Sequence, residues 1–308
     1  MMKILVLEPQ YFDAASIKKL KTIGVVTAKR MKRNELLKEV KDFDILVVRI
    51  ETKLDKELLS RAPRLKAIGS ATTGLNHIDV GYAKNRNIAI FNLHGAHTIP
   101  TAQHTMALML SLTRNIPWAH ISLSRGEWKR YRFIGTQLDG KTLGIIGLGK
   151  IGSTVCEYAK AFGMNVIYYD PYVDSKAARR VSLNTLLRSS DIITIHAALN
   201  RTSSNELNKK EISLIKRGAY LINTARAEII DYRSMLKALK SGRLAGAAMD
   251  VFMHEPISDH EKALLEYAKR NANLIITPHL GASTKEAMHH AGMEIACDLA
   301  KAFGRNRK

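Results

Sequence analysis

One stretch of sequence decides the fold of this chain: Leu143-Gly144-Ile145-Ile146-Gly147-Leu148-Gly149-Lys150-Ile151-Gly152. A short apolar strand runs into three glycines spaced G-x-G-x-x-G, and a helix with apolar periodicity follows. Gly147 allows a tight turn, Gly149 lets the backbone approach a pyrophosphate, and Gly152 lets the helix pack closely on the strand. The pattern predicts a dinucleotide site, with a purely structural glycine turn as the alternative.

An acid follows the glycine turn at the distance that a dinucleotide site requires. Asp170 lies 18 residues after the last glycine, directly behind the apolar strand Val166–Tyr169. A carboxylate there can accept a hydrogen bond from the ribose 2′-hydroxyl of NAD, whereas the 2′-phosphate of NADP would meet a like charge. The sequence therefore predicts NAD as the cofactor. Lys176, Arg179 and Arg180 are close enough in sequence to soften that preference.

Length and composition favour one large or two medium hydrophobic cores, because the chain has 308 residues and is 46% hydrophobic. The two cysteines, Cys156 and Cys297, fall in helical apolar patterns, which indicates a reducing compartment rather than a disulfide framework. The apolar run at the start is too short for a signal peptide, and no run has the length of a membrane span. We therefore expect a cytoplasmic protein with no membrane partner.

The charge of the chain is strongly positive: 48 basic and 28 acidic residues give a formal net charge of +20. The basic residues are scattered, and no aromatic-rich motif for reading nucleic acid accompanies them. A surface rich in lysine and arginine explains this pattern. A field that attracts anionic substrates and cofactors is a second interpretation, and nucleic-acid binding is a third that the pattern does not favour.

Strand-like and helix-like patterns alternate in the first hundred residues, which is typical of βα units around a parallel sheet. The predicted strands are Ile4–Leu7, Val25–Thr27, Ile45–Arg49, Lys66–Ser70 and Ile88–Phe91. The predicted helices include Ala14–Ile23, Leu54–Arg61, Asp79–Asn87 and then Thr101–Arg114. The polar and aromatic stretch from Pro117 to Lys141 shows no sheet pattern, and we interpret it as an arm or linker.

A second alternating series begins at the glycine turn. Its predicted strands are Leu143–Ile146, Val166–Tyr169, Ile192–His196, Tyr220–Asn223, Ala245–Met249 and Leu274–Thr277. Six parallel strands that open with a dinucleotide fingerprint predict a doubly wound α/β fold, in which ligands bind outside the carboxyl ends of the strands. The segment Ser283–Phe303 is predicted to form one long final helix.

Three strand ends of the second series carry side chains suited to catalysis. Arg226 follows the strand Tyr220–Asn223 and either holds a carboxylate through two charge-assisted hydrogen bonds or is an ordinary surface arginine. His279 follows the last strand and either transfers a proton near neutral pH or caps the final helix. Asp250 and Glu255 follow the strand Ala245–Met249, and either acid alone could be a solvated loop residue.

Together these strand ends indicate one reaction class. Hydride transfer to a 2-keto acid needs a nicotinamide, an arginine that holds the carboxylate, and an acid that protonates the new alkoxide. No metal is expected, because the clustered histidines His94, His97 and His104 come with no cysteine or acid pattern at ligand spacing.

These motifs resemble those of the D-isomer-specific 2-hydroxyacid dehydrogenases, over nearly the whole chain from about Ile45 to the final helix. Within that family the chain is most similar to the members that oxidise D-3-phosphoglycerate to 3-phosphohydroxypyruvate at the start of serine synthesis. The motifs that carry the resemblance are Gly147–Gly152 with Asp170, Asn223-Thr224-Ala225-Arg226, Asp250-Val251-Phe252 with Glu255-Pro256, and Pro278-His279-Leu280-Gly281-Ala282-Ser283-Thr284.

The resemblance implies a role for each site residue. His279 would be the general acid/base, Glu255 would pair with its ring and favour its charged form, and Arg226 would bind the substrate carboxylate. The implied substrate-binding residues are Arg49, which would face the phosphate, and the backbone of Ala71 and Thr72. The implied cofactor-binding residues are Thr73, Gly147, Gly149, Lys150, Ile151, Gly152, Asp170, Thr224, Asp250 (on the nicotinamide carboxamide) and Gly281.

The resemblance also implies a discontinuous two-domain chain. A Rossmann-type NAD-binding domain, residues 98–283, would be inserted into a flavodoxin-like substrate domain made of residues 1–97 and 284–308, with the active site in a cleft that closes on the substrate. Family members are commonly homodimers, which would give the predicted arm its purpose. Because the sequence stops at residue 308, the serine-binding regulatory domain of longer relatives is not expected.

Several positions depart from the family pattern without removing a catalytic group. They are Ala227 after Arg226 where glycine is usual, Gln103 in place of an acid, Asn76-His77 in the substrate loop, His196-Ala197-Ala198 in place of H-x-P, and Ser70. They leave open a glyoxylate/hydroxypyruvate reductase or a D-lactate-type enzyme. A more distant alternative is an NAD-sensing, non-catalytic protein like the family's corepressors, against which the intact Arg226, Glu255 and His279 argue.

Overall fold

The structure is a computed structural model that describes residues 1–93, 95, 97–199, 203 and 205–304. Its strands are β1 Met2–Val6, β2 Gly24–Ala28, β3 Ile45–Val48, β4 Ala67–Ser70, β5 Ala89–Asn92, β6 Thr142–Ile146, β7 Asn165–Tyr169, β8 Arg179–Arg180, β9 Ile192–Ile195, β10 Ala219–Asn223, β11 Leu244–Met249 and β12 Leu274–Ile276. Its α-helices are α1 Ala14–Leu20, α2 Arg33–Glu39, α3 Lys56–Ser60, α4 Val80–Asn85, α5 Thr98–Thr113, α6 Ile116–Ser124, α7 Lys150–Ala161, α8 Leu183–Ser189, α9 Lys209–Leu214, α10 Tyr232–Lys240, α11 Lys262–Arg270 and α12 Lys285–Phe303. None of these helices combines the length and the apolar content that crossing a membrane requires.

The chain divides into two compact units, Met1–His97 with Ser283–Lys308, and Thr98–Ala282. The first unit is built on a five-stranded parallel sheet in the order β2-β1-β3-β4-β5, which is the order of flavodoxin-like doubly wound folds. Alternate residues of β3 enter opposite cores, as the pleat requires. Leu46 and Val48 pack with α2, α3 and α4, whereas Ile45 and Val47 pack with α1 and α12.

The second unit is built on a seven-stranded parallel sheet in the order β12-β11-β10-β9-β6-β7-β8. If β6 is counted as strand 1 and the sheet is read from β8 to β12, the order is 3-2-1-4-5-6-7. The first six strands have the order of dinucleotide-binding folds, and β12 is one further strand. The strand order reverses between β6 and β9, where Ile146 pairs with Ile195. The glycine turn leaves β6 at that reversal, which is the position where doubly wound sheets bind their ligands. The predicted fold class is confirmed in both units.

Two elements differ from the sequence-based expectations, while the predicted strand ends otherwise agree within two residues. The short strand β8 was missed, because two exposed arginines carry no apolar signal. The segment from Pro117 to Lys141 is more regular than an arm or linker, because α6 runs into it and a 3-10 turn follows at Arg130–Phe133. Most apolar residues of α6 are exposed, so the helix lacks the buried stripe that would reveal it in the sequence.

Candidate active site

The glycine turn has no room for side chains at two of its three glycines. Gly147 has φ +89°, a conformation that favours glycine, and a Cβ there would lie 2.6 Å from the Ala197 nitrogen. A Cβ on Gly152 would lie 2.2 Å from the Gly147 carbonyl oxygen, so the first turn of α7 packs directly against the loop. The two glycines are therefore required by the protein's own packing.

Gly149 is different, because a Cβ there would meet nothing within 4 Å in the described structure. It is the N-cap of α7, and no described side chain caps that helix end. The positive end of its dipole can therefore attract an anion. These features fit the pyrophosphate of a dinucleotide, with Lys150 and Ile151 forming the start of the helix.

The two kinds of glycine lead to a paired prediction. Gly152→Ala should destabilise the protein by about 1–3 kcal/mol, because a backbone atom must move to admit the methyl group. Gly149→Ala should cost less than about 1 kcal/mol but weaken NAD binding, because its methyl group would point into the open space where we expect the cofactor to bind. Thermal unfolding and NAD titration of both variants check this; equal stability losses would contradict the packing described here.

Asp170 is buried and ties the glycine loop to the end of β7. Its Oδ2 accepts from the Leu148 nitrogen at 2.9 Å, and its Oδ1 accepts from the nitrogens of Tyr172 and Val173 at 2.8 and 3.0 Å. The nearby Arg180 donates to the Asp170 carbonyl oxygen at 2.6 Å, so its guanidinium already has a structural contact. The predicted bond from Asp170 to a ribose hydroxyl stays a prediction.

His279 and Glu255 come together at the end of β12. The His279 Nδ1 lies 2.6 Å from the Glu255 Oε2, and the Glu255 Oε1 accepts from the Phe252 nitrogen at 3.1 Å. The backbone of His279 has φ +53°, and its nitrogen donates to the Asp250 carbonyl oxygen at 2.9 Å. The ring is thus held by an acid on one side, while the backbone is held in a conformation that a non-glycine residue rarely adopts.

Asp250 is completely buried and holds the turn that carries His279. Its Oδ1 accepts from the Leu280 nitrogen at 2.9 Å and the Thr277 hydroxyl at 2.5 Å, and its Oδ2 accepts from the Gly281 nitrogen at 2.8 Å. Burial by itself raises the pKa of Asp250, but hydrogen bonds from His104, Thr277 and Leu280 more than offset it and lower the pKa. Asp250 and Gly281, predicted as cofactor residues, therefore also form one structural unit.

His104 also contacts this network, a role for which the sequence carries no signal. Its Nε2 lies 3.2 Å from the Asp250 Oδ1 and 3.3 Å from the Thr277 hydroxyl. His104 precedes Asp250 by 146 positions and Thr277 by 173, so no local pattern could reveal its contact with them. Of the other clustered histidines, His97 has a contact of its own, and His94 lies outside the described residues.

Arg226 lies at the end of β10, next to the strand that leads to Asp250. The buried Asn223 shapes this turn: its amide nitrogen donates to the Arg226 carbonyl oxygen at 2.8 Å, and its amide oxygen accepts from the Ala225 nitrogen at 2.9 Å. The guanidinium donates to the Ala225 carbonyl oxygen at 2.7 Å. The Thr224 hydroxyl bonds Thr105 at 2.9 Å. The neighbouring strands β10, β11 and β12 thus deliver the three predicted catalytic residues to the same edge of one sheet.

The first unit carries the predicted substrate loop after β4. The buried Ser70 hydroxyl lies 2.7 Å from the Thr72 hydroxyl and 3.1 Å from the His77 Nε2, and Thr72 donates to the Gly74 carbonyl oxygen at 2.7 Å. Burial lowers the pKa of His77 to about 4, so the ring is neutral at pH 7. This cluster fixes Ala71 and Thr72, whereas the neighbouring Thr73 is exposed. In the sequence, Ser70 and His77 stand out only as departures from the family pattern.

Arg49 directly follows β3 in the same unit. It is half-buried, and its guanidinium carbon lies 4.5 Å from the centre of the Tyr11 ring. Among the described residues no acid forms an ion pair with it. A cation with no carboxylate partner is free to bind an anionic ligand.

Comparison with known proteins gives one family match and several close relatives. The NAD-binding domain of the D-isomer specific 2-hydroxyacid dehydrogenases matches residues 106–281, more than half of the chain. The D-3-phosphoglycerate dehydrogenase of Methanocaldococcus jannaschii is 43% identical over 98% of this chain and 57% of its own length. That of Bacillus subtilis is 41% identical over 84% and 49%. The chain spans about half the length of the curated relatives it matches.

Solved structures show the same architecture. A D-lactate dehydrogenase from Aquifex aeolicus, in complex with NAD and lactic acid, aligns over 98% of this chain and 95% of its own with a TM-score of 0.86 and 29% identity. A glyoxylate reductase from Paecilomyes thermophila aligns over 99% and 96% with a TM-score of 0.85 and 27% identity. The family match includes the glycine turn and the strand ends at Arg226, Asp250 and His279.

Proposed function

This chain belongs to the D-isomer specific 2-hydroxyacid dehydrogenase family, and on that premise we propose that it oxidises D-3-phosphoglycerate to 3-phosphohydroxypyruvate with NAD, the first reaction of serine synthesis. The observation that carries the proposal is the 2.6 Å hydrogen bond between His279 and Glu255. It gives a histidine at a strand end of the NAD-binding domain a fixed carboxylate partner. The similarity to D-3-phosphoglycerate dehydrogenases supports the choice of substrate.

His279 is the proposed acid/base. Its Nδ1 donates to Glu255, which leaves the Nε2 lone pair to take the proton of the substrate hydroxyl during oxidation. Glu255 stabilises the imidazolium that forms, and in the reverse direction the ring returns this proton to the new hydroxyl oxygen. When bound, NAD accepts the hydride that leaves the substrate carbon.

The other proposed site residues bind the substrate carboxylate, the substrate phosphate or NAD. Arg226 binds the substrate carboxylate and polarises the carbonyl, and the backbone of Ala71 and Thr72 binds the same carboxylate. Arg49 binds the phosphate. The proposed NAD contacts are Thr73, Gly147, Gly149, Lys150, Ile151, Gly152, Asp170, Thr224, Asp250 and Gly281. The Asp250 Oδ2 has acceptor capacity left for the nicotinamide carboxamide, because the described residues supply it with one donor.

A substrate panel tests this function. The protein should turn over D-3-phosphoglycerate and 3-phosphohydroxypyruvate faster than their unphosphorylated counterparts, and NADH should support faster turnover than NADPH. Arg49→Ala should raise the KM for the phosphorylated acid about ten- to a hundredfold, because a charged hydrogen bond is lost. Arg64→Ala, which removes an arginine paired with Asp44, is the matched control. An unchanged KM in Arg49→Ala would rule out the phosphate assignment.

A reductase for unphosphorylated acids is the second candidate, because the solved glyoxylate reductase and D-lactate dehydrogenase share the fold over nearly their whole length. The same panel decides between them: a preference for glyoxylate, hydroxypyruvate or pyruvate favours this candidate. A corepressor-like binding protein would bind NAD and turn over none of these acids.

We also propose that the protein is a homodimer joined through the segment 116–134. This segment exposes six large apolar side chains, which an interface would cover: Ile116, Ile121, Leu123, Trp128, Tyr131 and Ile134. Trp128 and Tyr131 are each 82% exposed and are of the residue types that dominate interfaces.

Charge placed in this segment should weaken the dimer. The double variant Trp128→Glu, Tyr131→Glu should raise the dimer dissociation constant by about a hundredfold or more. Light scattering during gel filtration over a concentration series measures it. Tyr172→Glu alters a similarly exposed tyrosine elsewhere and should leave the mass unchanged. A wild-type protein that stays monomeric at all concentrations would contradict the proposal.

A cytoplasmic location is part of the proposal, because both Cys156 and Cys297 are free thiols, which reducing compartments preserve.

A further inference from the structure

Two segments of the first unit meet because their strands are neighbours. Strands β1 and β3 are parallel, with Val6 paired to Val47, so their carboxyl ends lie at the same edge of the sheet. After β1 the chain makes a 3-10 turn at Pro9–Tyr11 before α1. After β3 comes Arg49. The ring of Tyr11 is thereby delivered to the side chain that we propose binds the substrate phosphate.

The contact between them is a cation–π interaction. The guanidinium carbon of Arg49 lies 4.5 Å from the centre of the Tyr11 ring, well within the range in which a ring face attracts a cation. Both side chains are half-buried, so part of their surface is already shielded from water. The stack leaves the N–H groups of the guanidinium edge available, which an ion pair with a carboxylate would not.

Tyr11 is itself anchored. Its hydroxyl donates to the Glu51 Oε1 at 2.6 Å, and this hydrogen bond raises the pKa of Tyr11, which keeps the phenol protonated as a donor. Glu51 also accepts from Arg30 at 3.0 Å. The charge of Glu51 is therefore balanced by Arg30, so that Arg49 is left to other ligands.

The backbone of Arg49 is held from the other side by a buried acid. The Glu8 side chain, 1% exposed, accepts from the nitrogens of Arg49, Ile50 and Thr52 at 3.1, 3.0 and 2.9 Å. Main chain and guanidinium of Arg49 are thus both fixed by the free protein. A group fixed in advance loses less conformational entropy when it binds its ligand.

We propose that Tyr11 is a positioning residue: its ring, anchored through Glu51, holds the Arg49 guanidinium ready for the phosphate end of the substrate. The proposal rests on the proposed function, in which Arg49 binds that phosphate. It assigns to the turn Pro9–Tyr11 a part in discriminating phosphorylated from unphosphorylated 2-hydroxy acids.

The test compares two substrates that differ only in the phosphate. Tyr11→Leu should raise the KM for 3-phosphohydroxypyruvate about three- to thirtyfold, the range expected for loss of a cation–π contact, with kcat unchanged. The KM for hydroxypyruvate should not change. Tyr11→Phe keeps the ring and should show a smaller rise. Tyr232→Leu, which removes another tyrosine stacked on an arginine (Arg233, 5.9 Å), should change neither KM.

The double variant Tyr11→Leu, Arg49→Ala separates positioning from general damage. If Tyr11 acts through Arg49, the double variant should be no worse for the phosphorylated substrate than Arg49→Ala alone. Additive losses, or a Tyr11→Leu effect of equal size on both substrates, would overturn the inference.

Binding of inorganic phosphate, followed by calorimetry, distinguishes failure of the inference from failure of the proposed function. Turnover of unphosphorylated acids alone by the wild type would refute the proposed function. Weaker phosphate binding in both Tyr11→Leu and Arg49→Ala would still support the positioning role, and unchanged binding in Tyr11→Leu would refute it.

Discussion

Replacement of His279 by glutamine is expected to lower kcat/KM in both reaction directions by about 10²–10⁴-fold, the usual contribution of a positioned acid/base. Glutamine keeps a side chain that can bond Glu255 but cannot carry the substrate proton. Steady-state kinetics with saturating cofactor measure the loss, and NAD binding, followed by fluorescence, should stay close to that of the wild type. His290→Gln, which changes an exposed histidine on α12, is the matched control.

The pH dependence of the wild type sharpens this prediction. Reduction requires the protonated ring of His279, so its rate should fall as pH rises, whereas oxidation requires the neutral ring and should rise with pH. In His279→Gln both dependences should flatten, because the side chain that exchanges the substrate proton is gone. Identical pH profiles in the two directions of the wild type, or undiminished turnover in the variant, would contradict the acid/base role.

Replacement of Arg226 by glutamine is expected to lower kcat/KM by about 10²–10³-fold, because two charge-assisted hydrogen bonds to the substrate carboxylate are lost. Arg226→Lys should recover only part of this, since an ammonium cannot form the planar paired contact. Asn223 fixes the turn through its bonds to the Arg226 carbonyl oxygen and the Ala225 nitrogen, which the substitution leaves in place, so the loss should come from the missing contacts and not from a disordered loop.

Two measurements test whether the loss in Arg226→Gln comes from missing substrate contacts and not from structural damage. Thermal unfolding of Arg226→Gln should match the wild type, and Arg233→Gln, an exposed arginine at the start of α10, should retain full activity. The loss should appear with every 2-keto acid of the panel, phosphorylated or not, because all carry the carboxylate. A loss confined to phosphorylated acids would assign Arg226 to the phosphate end instead.

The parts of the fold that sequence predicted are those set by local rules. Alternating apolar strands and helices gave both parallel sheets, because burial on two faces requires continuous apolar runs. The glycine turn was predictable for a similar reason: Gly147 at φ +89° and Gly152, packed against the Gly147 carbonyl, are positions where the backbone itself excludes a side chain. The short strand β8 and the exposed helix α6 escaped prediction because neither buries an apolar stripe.

The candidate site also has a part that the sequence predicted and a part that only the structure shows. Arg226, Glu255 and His279 were selected from the sequence because each follows an apolar strand, and parallel strands place their carboxyl ends at one edge of the sheet. The 2.6 Å pairing of His279 with Glu255 was implied by family resemblance, and the structure supplies its geometry. Their catalytic roles stay predictions until the variants above are measured.

Sequence by itself determined the class of fold, the glycine turn and the candidate reactive side chains, because these depend on periodicity and backbone constraints within a few residues. Tertiary structure alone decided which distant groups support them: His104 on Asp250, and Tyr11 on Arg49. Such contacts depend on which strands become neighbours and on directional distances of a few ångströms, and no local pattern records either.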